Sequence, residues 1–327
     1  VYKRQHLARR GMHRPSYPDP LIEKLRSLQQ GARLHYEDAL RAIKRDDYAA
    51  ASAAFATGLA EDPTNARART SYARTLWIAG RRDTAQVELR RAAADGPGET
   101  LPRFLLGVLH DAADDPASAI TAYREVLAID PVHQGALSYL ANLSLRRGDH
   151  AAAASYFERA IDAGATELPV FLHYWIALRQ AGTGDDALRD ALVAFDRRFP
   201  EPPVFRYLLA RLLAVSEAPG VADRRRALQI ARQLHDAAPI PPHSELLALA
   251  LAAAGEFAQA VALQEGLVQL ALSAGAPGHA AALERVAAGY RAGTLPDAVR
   301  PLDDPLLMPA PADPEAAMRN YPAGQPY

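Results

Sequence analysis

The sequence predicts an all-α fold, an α-solenoid in which pairs of short helices are stacked along the chain. Three observations predict it. Apolar residues recur at the spacing of amphipathic helices. Hydrophobic residues make up 49% of the 327 residues and aromatic residues only 7%, a composition rich in small helix-forming residues that allow close helix packing. The same pattern also recurs at a fixed interval, which is typical of repeat proteins.

The interval between equivalent positions is 34 residues, and each unit is predicted to be two helices joined by a short turn. The boundary between units carries a proline, in the series Pro63, Pro97 and Pro131. The first helix carries a small residue, in the series Ala39, Ala73, Gly107 and Ala141. The second helix carries another, in the series Ala51, Ala85, Ala119, Ala153 and Ala187. A large side chain follows four residues later, in the series Phe55, Leu89, Tyr123 and Phe157.

This combination of period, small residues, following aromatic and boundary proline resembles the tetratricopeptide repeat. The resemblance covers residues 32–276 and implies a right-handed α-solenoid of about seven helix-turn-helix repeats. Their starts lie near Ala32, Ala66, Thr100, Gln134, Leu168, Pro202 and Pro241.

The segments that flank the repeats are expected to differ from them. Residues 19–31 and residues 277–293 predict cap helices, because the end faces of a repeat array are apolar and need cover. Residues 1–18 form a basic arm that is expected to be disordered, and its first five residues, VYKRQ, resemble translated sequencing-adapter read-through. Residues 294–327 are rich in proline and lack helical periodicity, so they predict an extended or disordered tail.

Charge and composition exclude several classes of function. The protein has 37 lysines and arginines against 38 acidic residues, so it has no overall positive charge for binding nucleic acid or an anionic membrane. The absence of cysteine excludes disulfides and thiolate zinc sites. The longest apolar run, residues 246–254, is about half of a membrane-spanning helix, so the repeats are expected to be soluble without membrane insertion. The cytoplasm is favoured, and the start at Val1 instead of Met keeps the periplasm as an alternative.

The sequence carries no motif that predicts catalysis, a metal site or a cofactor. Phosphate-binding glycine loops, HExxH, nucleophile elbows and EF-hand loops are all missing. The stretch RRGDH, residues 146–150, contains Arg-Gly-Asp, but its place in the repeat predicts the turn between two helices. Gly148 is expected to end one helix in a left-handed conformation and Asp149 to cap the next. The protein is therefore expected not to be an enzyme.

The class of function that remains is recognition of a protein or peptide. The resemblance implies that an extended peptide binds in a concave groove lined by the first helix of each repeat. The family's carboxylate clamp needs a lysine where Ser138 stands, so capture of the C-terminus of a partner protein is not expected. Arginines, aromatics and one amide at the mapped positions favour an extended or acidic peptide. The predicted groove residues are Tyr36, Arg74, Trp77, Phe104, Ser138, Asn142, Arg146, Arg179 and Arg206.

Three functional hypotheses follow from the sequence. In the first, the protein is a non-catalytic scaffold that binds a partner segment in the groove. In the second, it is the scaffold portion of a larger protein whose missing N-terminal domain carries an enzymatic or electron-transfer activity, which the start at Val1 suggests. In the third, the tail or the basic arm occupies the groove of the same molecule or of another copy, which would make the protein a homo-oligomer in the latter case.

Overall fold

The computed structural model describes residues 20–216, 220–296 and 308–320, and the predicted basic arm lies outside these ranges. Within them the regular elements are sixteen α-helices and no strands, which divide between two compact units. The first unit is Val1–Pro131 with Ala312–Tyr327, and its helices are α1 (Pro20–Ile43), α2 (Tyr48–Glu61), α3 (Ala66–Ile78), α4 (Arg82–Asp95), α5 (Thr100–Ala112), α6 (Pro116–Ile129) and α16 (Pro314–Asn320). The second unit is Val132–Pro311, and its helices are α7 (Gln134–Arg146), α8 (His150–Asp162), α9 (Leu168–Gln180), α10 (Asp185–Arg198), α11 (Val204–Val215), α12 (Val221–Ala237), α13 (Pro241–Ala253), α14 (Phe257–Ser273) and α15 (Pro277–Arg291).

Consecutive helices pack against each other in pairs. In the first unit α1 packs on α2, α3 on α4 and α5 on α6; in the second unit α7 packs on α8, and the pairing continues through α15. This arrangement confirms the predicted all-α fold of stacked helix pairs. The small and large residues of the 34-residue series explain it, because they are buried where paired helices meet. Those with no exposed surface are Ala39, Ala51, Phe55, Ala73, Ala85, Leu89, Ala119, Tyr123, Ala141, Ala153 and Phe157.

Gly107 shows why one member of the first-helix series has no side chain. A Cβ atom at this position would lie 2.5 Å from Cε1 of Tyr123, which is far inside van der Waals contact. The Tyr123 ring is fully buried and packs at 5.9 Å from the ring of Phe104. Tyrosine on the second helix therefore requires glycine on the first, where other repeats combine alanine with other residues.

Ala187 was predicted to continue the second-helix series, and this prediction is wrong by one residue. Ala187 is exposed, whereas Leu188 is 1% exposed. The residues before the second helices, Asp47, Arg81, Asp115 and Asp149, are 34 apart, but Gly184 follows Asp149 by 35. The turn before α10 is thus one residue longer, and because successive helical residues point about 100° apart, the buried position moves from Ala187 to Leu188.

The turn RRGDH has the structure that its place in the repeat predicted. Gly148 adopts φ +78°, which ends α7, and the side chain of Asp149 accepts a 3.2 Å hydrogen bond from the Ala152 amide at the start of α8. Asp115 accepts the equivalent bond from the Ser118 amide at 3.2 Å. The hydrogen bonds from Ser118 hold the pKa of the Asp115 carboxyl below its usual value.

The ends of the array differ in part from their predictions. The segment predicted as a separate N-terminal cap helix, residues 19–31, is continuous with the first repeat in α1, since no proline interrupts the sequence between Pro20 and Ile43. The C-terminal cap predicted at residues 277–293 corresponds to α15. The tail was expected to be extended, but Pro314–Asn320 forms a helix, α16.

Candidate peptide-binding face

Helix α16 packs against α3 and α5, the first helices of the second and third repeats. Met318 has no exposed surface and Ala317 is 7% exposed, although both belong to a helix of only seven residues. A helix of that length is not stable alone in water. Its apolar side is therefore held by the packing of Ala317 and Met318 within the first unit.

Local interactions also favour the helical form of this segment. The side chain of Asp313 accepts hydrogen bonds from the amides of Glu315 at 2.9 Å and Ala316 at 3.2 Å, so Asp313 acts as the N-cap and Pro314 occupies the first helical position. Arg319 pairs with Glu315 at 2.8 Å, and this bond raises the pKa of the Arg319 guanidinium. The sequence Asp-Pro-Glu signals such a start, and Asp115–Pro116 begins α6 in the same way.

Polar contacts with the tail come from α3 and α5, and we call the residues that make them the tail-binding face: Arg74, Trp77 and Asp111. Arg74 donates from Nε to the main-chain oxygen of Met318 at 2.8 Å and from Nη2 to that of Arg319 at 3.3 Å. These carbonyl oxygens lie in the last turn of α16, where no intrahelical donor is available to them. The guanidinium therefore satisfies the C-terminal end of the docked helix.

Trp77 and Asp111 bind the N-terminal end of the same segment. The indole Nε1 of Trp77 donates to Oε2 of Glu315 at 3.1 Å, and the guanidinium of Arg82 lies over the indole ring at 5.3 Å. The carboxylate of Asp111, in a residue that is 5% exposed, accepts a hydrogen bond from the amide of Ala312 at 3.2 Å. The polar contacts of the face are thus made mainly with main-chain atoms of the tail, and one is made with a tail carboxylate, that of Glu315.

Arg146 makes a comparable contact inside the second unit. Its Nη1 donates to the main-chain oxygen of Ala310 at 2.8 Å, next to Pro309, which is buried. On the same helix, the Asn142 side-chain oxygen lies 3.0 Å from Nδ1 of His173. Arg74, Trp77 and Arg146 are therefore the predicted groove residues that the structure places against the tail, and Asn142 is engaged with a side chain of α9.

The other predicted groove residues have different surroundings. Tyr36 and Phe104 are 2% and 1% exposed, and their rings pack on Phe55 and Tyr123 of the paired helices, so they belong to the core. Arg206 bonds to Asp196 at 3.0 Å and to the Pro200 carbonyl at 2.7 Å.

Arg69 likewise binds the carbonyl of the proline six residues before it, Pro63, but its carboxylate partner, Asp95, lies on the following helix. Arg206 links α11 to Asp196 of α10, within its own unit. Ser138 and Arg179 are half-buried on α7 and α9.

Helix α16 and its buried residues Ala317 and Met318 were not predicted from the sequence. The available signal was the Asp313-Pro314-Glu315 helix start, which is short and lies among prolines. Asp111 contacts the tail without being one of the nine residues predicted for the groove. Within residues 20–216, 220–296 and 308–320, no group of three or more histidines, aspartates and glutamates could hold a metal ion. No helix in these ranges is both long and apolar enough to cross a membrane.

Comparison with known proteins agrees with the helix pairs. The tetratricopeptide repeat family matches the protein in two segments, residues 42–104 and residues 104–167. Residues 42–167 are tetratricopeptide repeats. The solved structure of Pseudomonas aeruginosa PilF covers 68% of this tetratricopeptide-repeat protein and 99% of its own length, with 19% identity and a TM-score of 0.52, a likeness that shows the fold alone.

Two curated relatives match a part of this protein. Both are named probable biofilm formation methyltransferase WspC. The Pseudomonas aeruginosa protein is 42% identical over 71 residues, which span 22% of this sequence and 17% of the relative. The Pseudomonas putida protein is 36% identical over 86 residues, 26% of this sequence and 20% of the relative. The match thus spans about a fifth of the length of these relatives.

Proposed function

We propose that this tetratricopeptide-repeat protein is a non-catalytic interaction scaffold that binds a peptide segment of a protein partner on the tail-binding face. The observation that carries the proposal is the seating of residues 312–319 on α3 and α5, with Arg74 and Asp111 bonded to main-chain atoms of the segment. Main-chain groups are common to all peptides, so a face that binds them accepts a segment from another protein with the same geometry.

The residue types of the face support this role. Tryptophan and arginine are the side chains that most often carry the binding energy of protein interfaces. Trp77 offers an indole N–H beside a broad apolar ring, and the guanidinium of Arg74 offers several donors in a fixed plane. The Arg82 side chain over Trp77 holds the indole in place before a partner arrives.

The experiment is affinity capture with the full-length protein in the source organism, followed by binding measurements on each purified partner. The double variant Arg74→Ala, Trp77→Ala is compared with the native protein and with Arg90→Ala, an exposed arginine of α4 that lies outside the face. We expect the double variant to weaken binding of the partner by about 100-fold, since two anchor residues each contribute on the order of 1–2 kcal/mol.

Arg206 is left unchanged in this design, because its bonds to Asp196 and Pro200 would make a loss of binding indistinguishable from a loss of stability. Partners that bind the double variant as tightly as the native protein would exclude the tail-binding face as the interaction site. A partner that the protein converts chemically, with release of a product, would contradict the non-catalytic role.

A further inference from the structure

The tail-binding face is covered by a segment of the same molecule, and this contact shows what kind of ligand the face recognises. We propose that residues 312–319 are a tethered ligand of the face, and that the partner's segment is a short helix with the same two anchors. These anchors are an acidic residue in the first turn and a methionine or leucine three residues later. The inference rests on the proposed function, whose face it uses.

The apolar anchor is Met318. It is completely buried, whereas Asp313 and Arg319 at the two ends of the docked segment are exposed. Complete or nearly complete burial in α16 is therefore found at Ala317 and Met318, the apolar residues that a short helix bound on a surface would use as its contact. The flexible thioether side chain adapts to the space between α3 and α5, and leucine has a similar volume.

The acidic anchor is Glu315. Residues three apart lie on the same side of a helix, so Glu315 and Met318 face the surface together. Glu315 accepts the hydrogen bond of the Trp77 indole at 3.1 Å and lies in the first turn, where a negative charge is favoured by the helix dipole. A partner with lysine or arginine at this position would place a positive charge beside Trp77 and Arg82.

Arg74 adds a limit on the length of the partner helix. It binds the main-chain oxygens of Met318 and Arg319, which lie in the last turn of α16. In a longer helix both oxygens would accept intrahelical hydrogen bonds. The face is therefore matched to a helix that ends within about one turn of its apolar anchor.

The tether makes the face self-occupied. A segment joined to its site by a short linker acts as a competitor at an effective concentration on the order of millimolar. An external segment with equal intrinsic affinity is then bound only in the fraction of molecules whose own tail is displaced. When displaced, the seven-residue helix loses the packing that holds it, and it is too short to stay folded.

The test uses the full-length protein and a fluorescent peptide of residues 312–320 with blocked ends. In the variant Met318→Asp, a carboxylate replaces the buried anchor, so the tail leaves the face and the peptide can bind. The matched control is Pro311→Asp, which introduces the same carboxylate at an exposed position of the tail. We expect the peptide to bind Met318→Asp about tenfold or more tightly than it binds the native protein or Pro311→Asp.

Peptide variants test the anchors on the same Met318→Asp protein. A peptide with Met318→Leu should bind within about threefold of the native peptide, whereas Met318→Asp or Glu315→Lys in the peptide should abolish measurable binding. Circular dichroism of each protein variant establishes that the repeats remain folded. Equal binding of the native peptide to the native and Met318→Asp proteins would overturn the tethered-ligand proposal.

Two further outcomes are informative against the proposal. If the native protein is a dimer that becomes a monomer in Met318→Asp, by light scattering after size exclusion, the tail occupies a second copy and the intramolecular arrangement is wrong. If the peptide binds neither protein, the ligand class is wrong. The proposed function is decided separately, since a purified partner would still lose affinity for the Arg74→Ala, Trp77→Ala variant.

Discussion

Arg74 donates a 2.8 Å hydrogen bond from Nε to the main-chain oxygen of Met318, a residue 244 positions further along the sequence. Both residues belong to the first unit, in which the first helices of the second and third repeats carry the tail. The bond joins a side chain of the repeat scaffold to the end of a helix that is too short to form alone. The tail therefore has a defined structure because the repeats provide its partners.

Replacing Trp77 with phenylalanine should loosen the tail. Phenylalanine keeps the ring beside Arg82 but loses the indole N–H that bonds to Glu315 at 3.1 Å. Loss of one such bond costs about 1 kcal/mol, which raises the undocked fraction of α16 about fivefold. Hydrogen exchange of the α16 amides measures this change.

The control for Trp77→Phe is a double-mutant cycle with Glu315→Ala. Each single variant should accelerate exchange, and the double variant should add little to Glu315→Ala, because the bond that Trp77→Phe removes is already lost in that variant. Strictly additive effects would show that the two side chains do not act through each other.

Replacing Gly107 with alanine should destabilise the protein, although alanine is the better helix former. The new Cβ would lie 2.5 Å from the buried Tyr123 ring, so the cost of overpacking, about 1–3 kcal/mol, exceeds the gain of about 1 kcal/mol in helix propensity. The matched control is Gly266→Ala in α14, where an added Cβ meets no atom within 4 Å. Thermal melting should show a lower Tm for Gly107→Ala and an unchanged or higher Tm for Gly266→Ala.

Replacing Ala153 with leucine should overpack the crossing of α7 and α8. Ala153 is fully buried, and extra methylene groups in a filled core cost about 1–3 kcal/mol of unfolding free energy. Ala151→Leu, at an exposed position of the same helix, should change stability by no more than about 0.5 kcal/mol. Urea denaturation compares the two variants, and equal stabilities would contradict the close packing at Ala153.

Replacing Arg69 with alanine should destabilise the second repeat. Arg69 pairs with Glu88 at 2.7 Å and with Asp95 at 2.9 Å, and the side chains of Arg69 and Glu88 are only 12% and 9% exposed. Without Arg69, the nearly buried Glu88 carboxylate keeps only the exposed Arg91 as a partner, so the loss should cost about 2–3 kcal/mol of unfolding free energy.

Arg91→Ala is the control for Arg69→Ala, because Arg91 binds the same Glu88 carboxylate with a side chain that is 63% exposed. Its loss should cost under about 1 kcal/mol. Urea denaturation of both variants measures the difference, and similar losses would mean that the burial of Arg69 does not determine its contribution.

The sequence predicted the helix pairs and the burial or capping role of some residues within them, because these features depend on residues that are close together in the sequence. Ala73 and Ala85 are buried as their place in the repeat required, and Asp149 caps a helix as its place in the turn required. The prediction at Ala187 was wrong because a single extra residue in a turn rotates the following helix, and a fixed period of 34 cannot register such an insertion.

The site was predicted less completely. The family positions included Arg74, Trp77 and Arg146, all of which contact the tail, but they also included Tyr36 and Phe104, which fill the core against Phe55 and Tyr123. Whether a side chain of the first helix faces the core or the groove depends on how that helix crosses its partner. An aromatic residue is compatible with either environment. Spacing alone could not separate the two cases.

The amino-acid sequence by itself determined the repeat architecture, because each helix pair is encoded by contacts between residues fewer than about 40 positions apart. Only the tertiary structure decided the place of the tail. Asp313 caps the start of the helix at residues 314–320, yet a helix of seven residues is not stable in water by itself. It is stable here because Ala317 and Met318 are buried. Ala317 and Met318 are buried only when the tail packs against α3 and α5. The contacting residues are more than 200 positions apart in the sequence, so no local pattern specifies the contact.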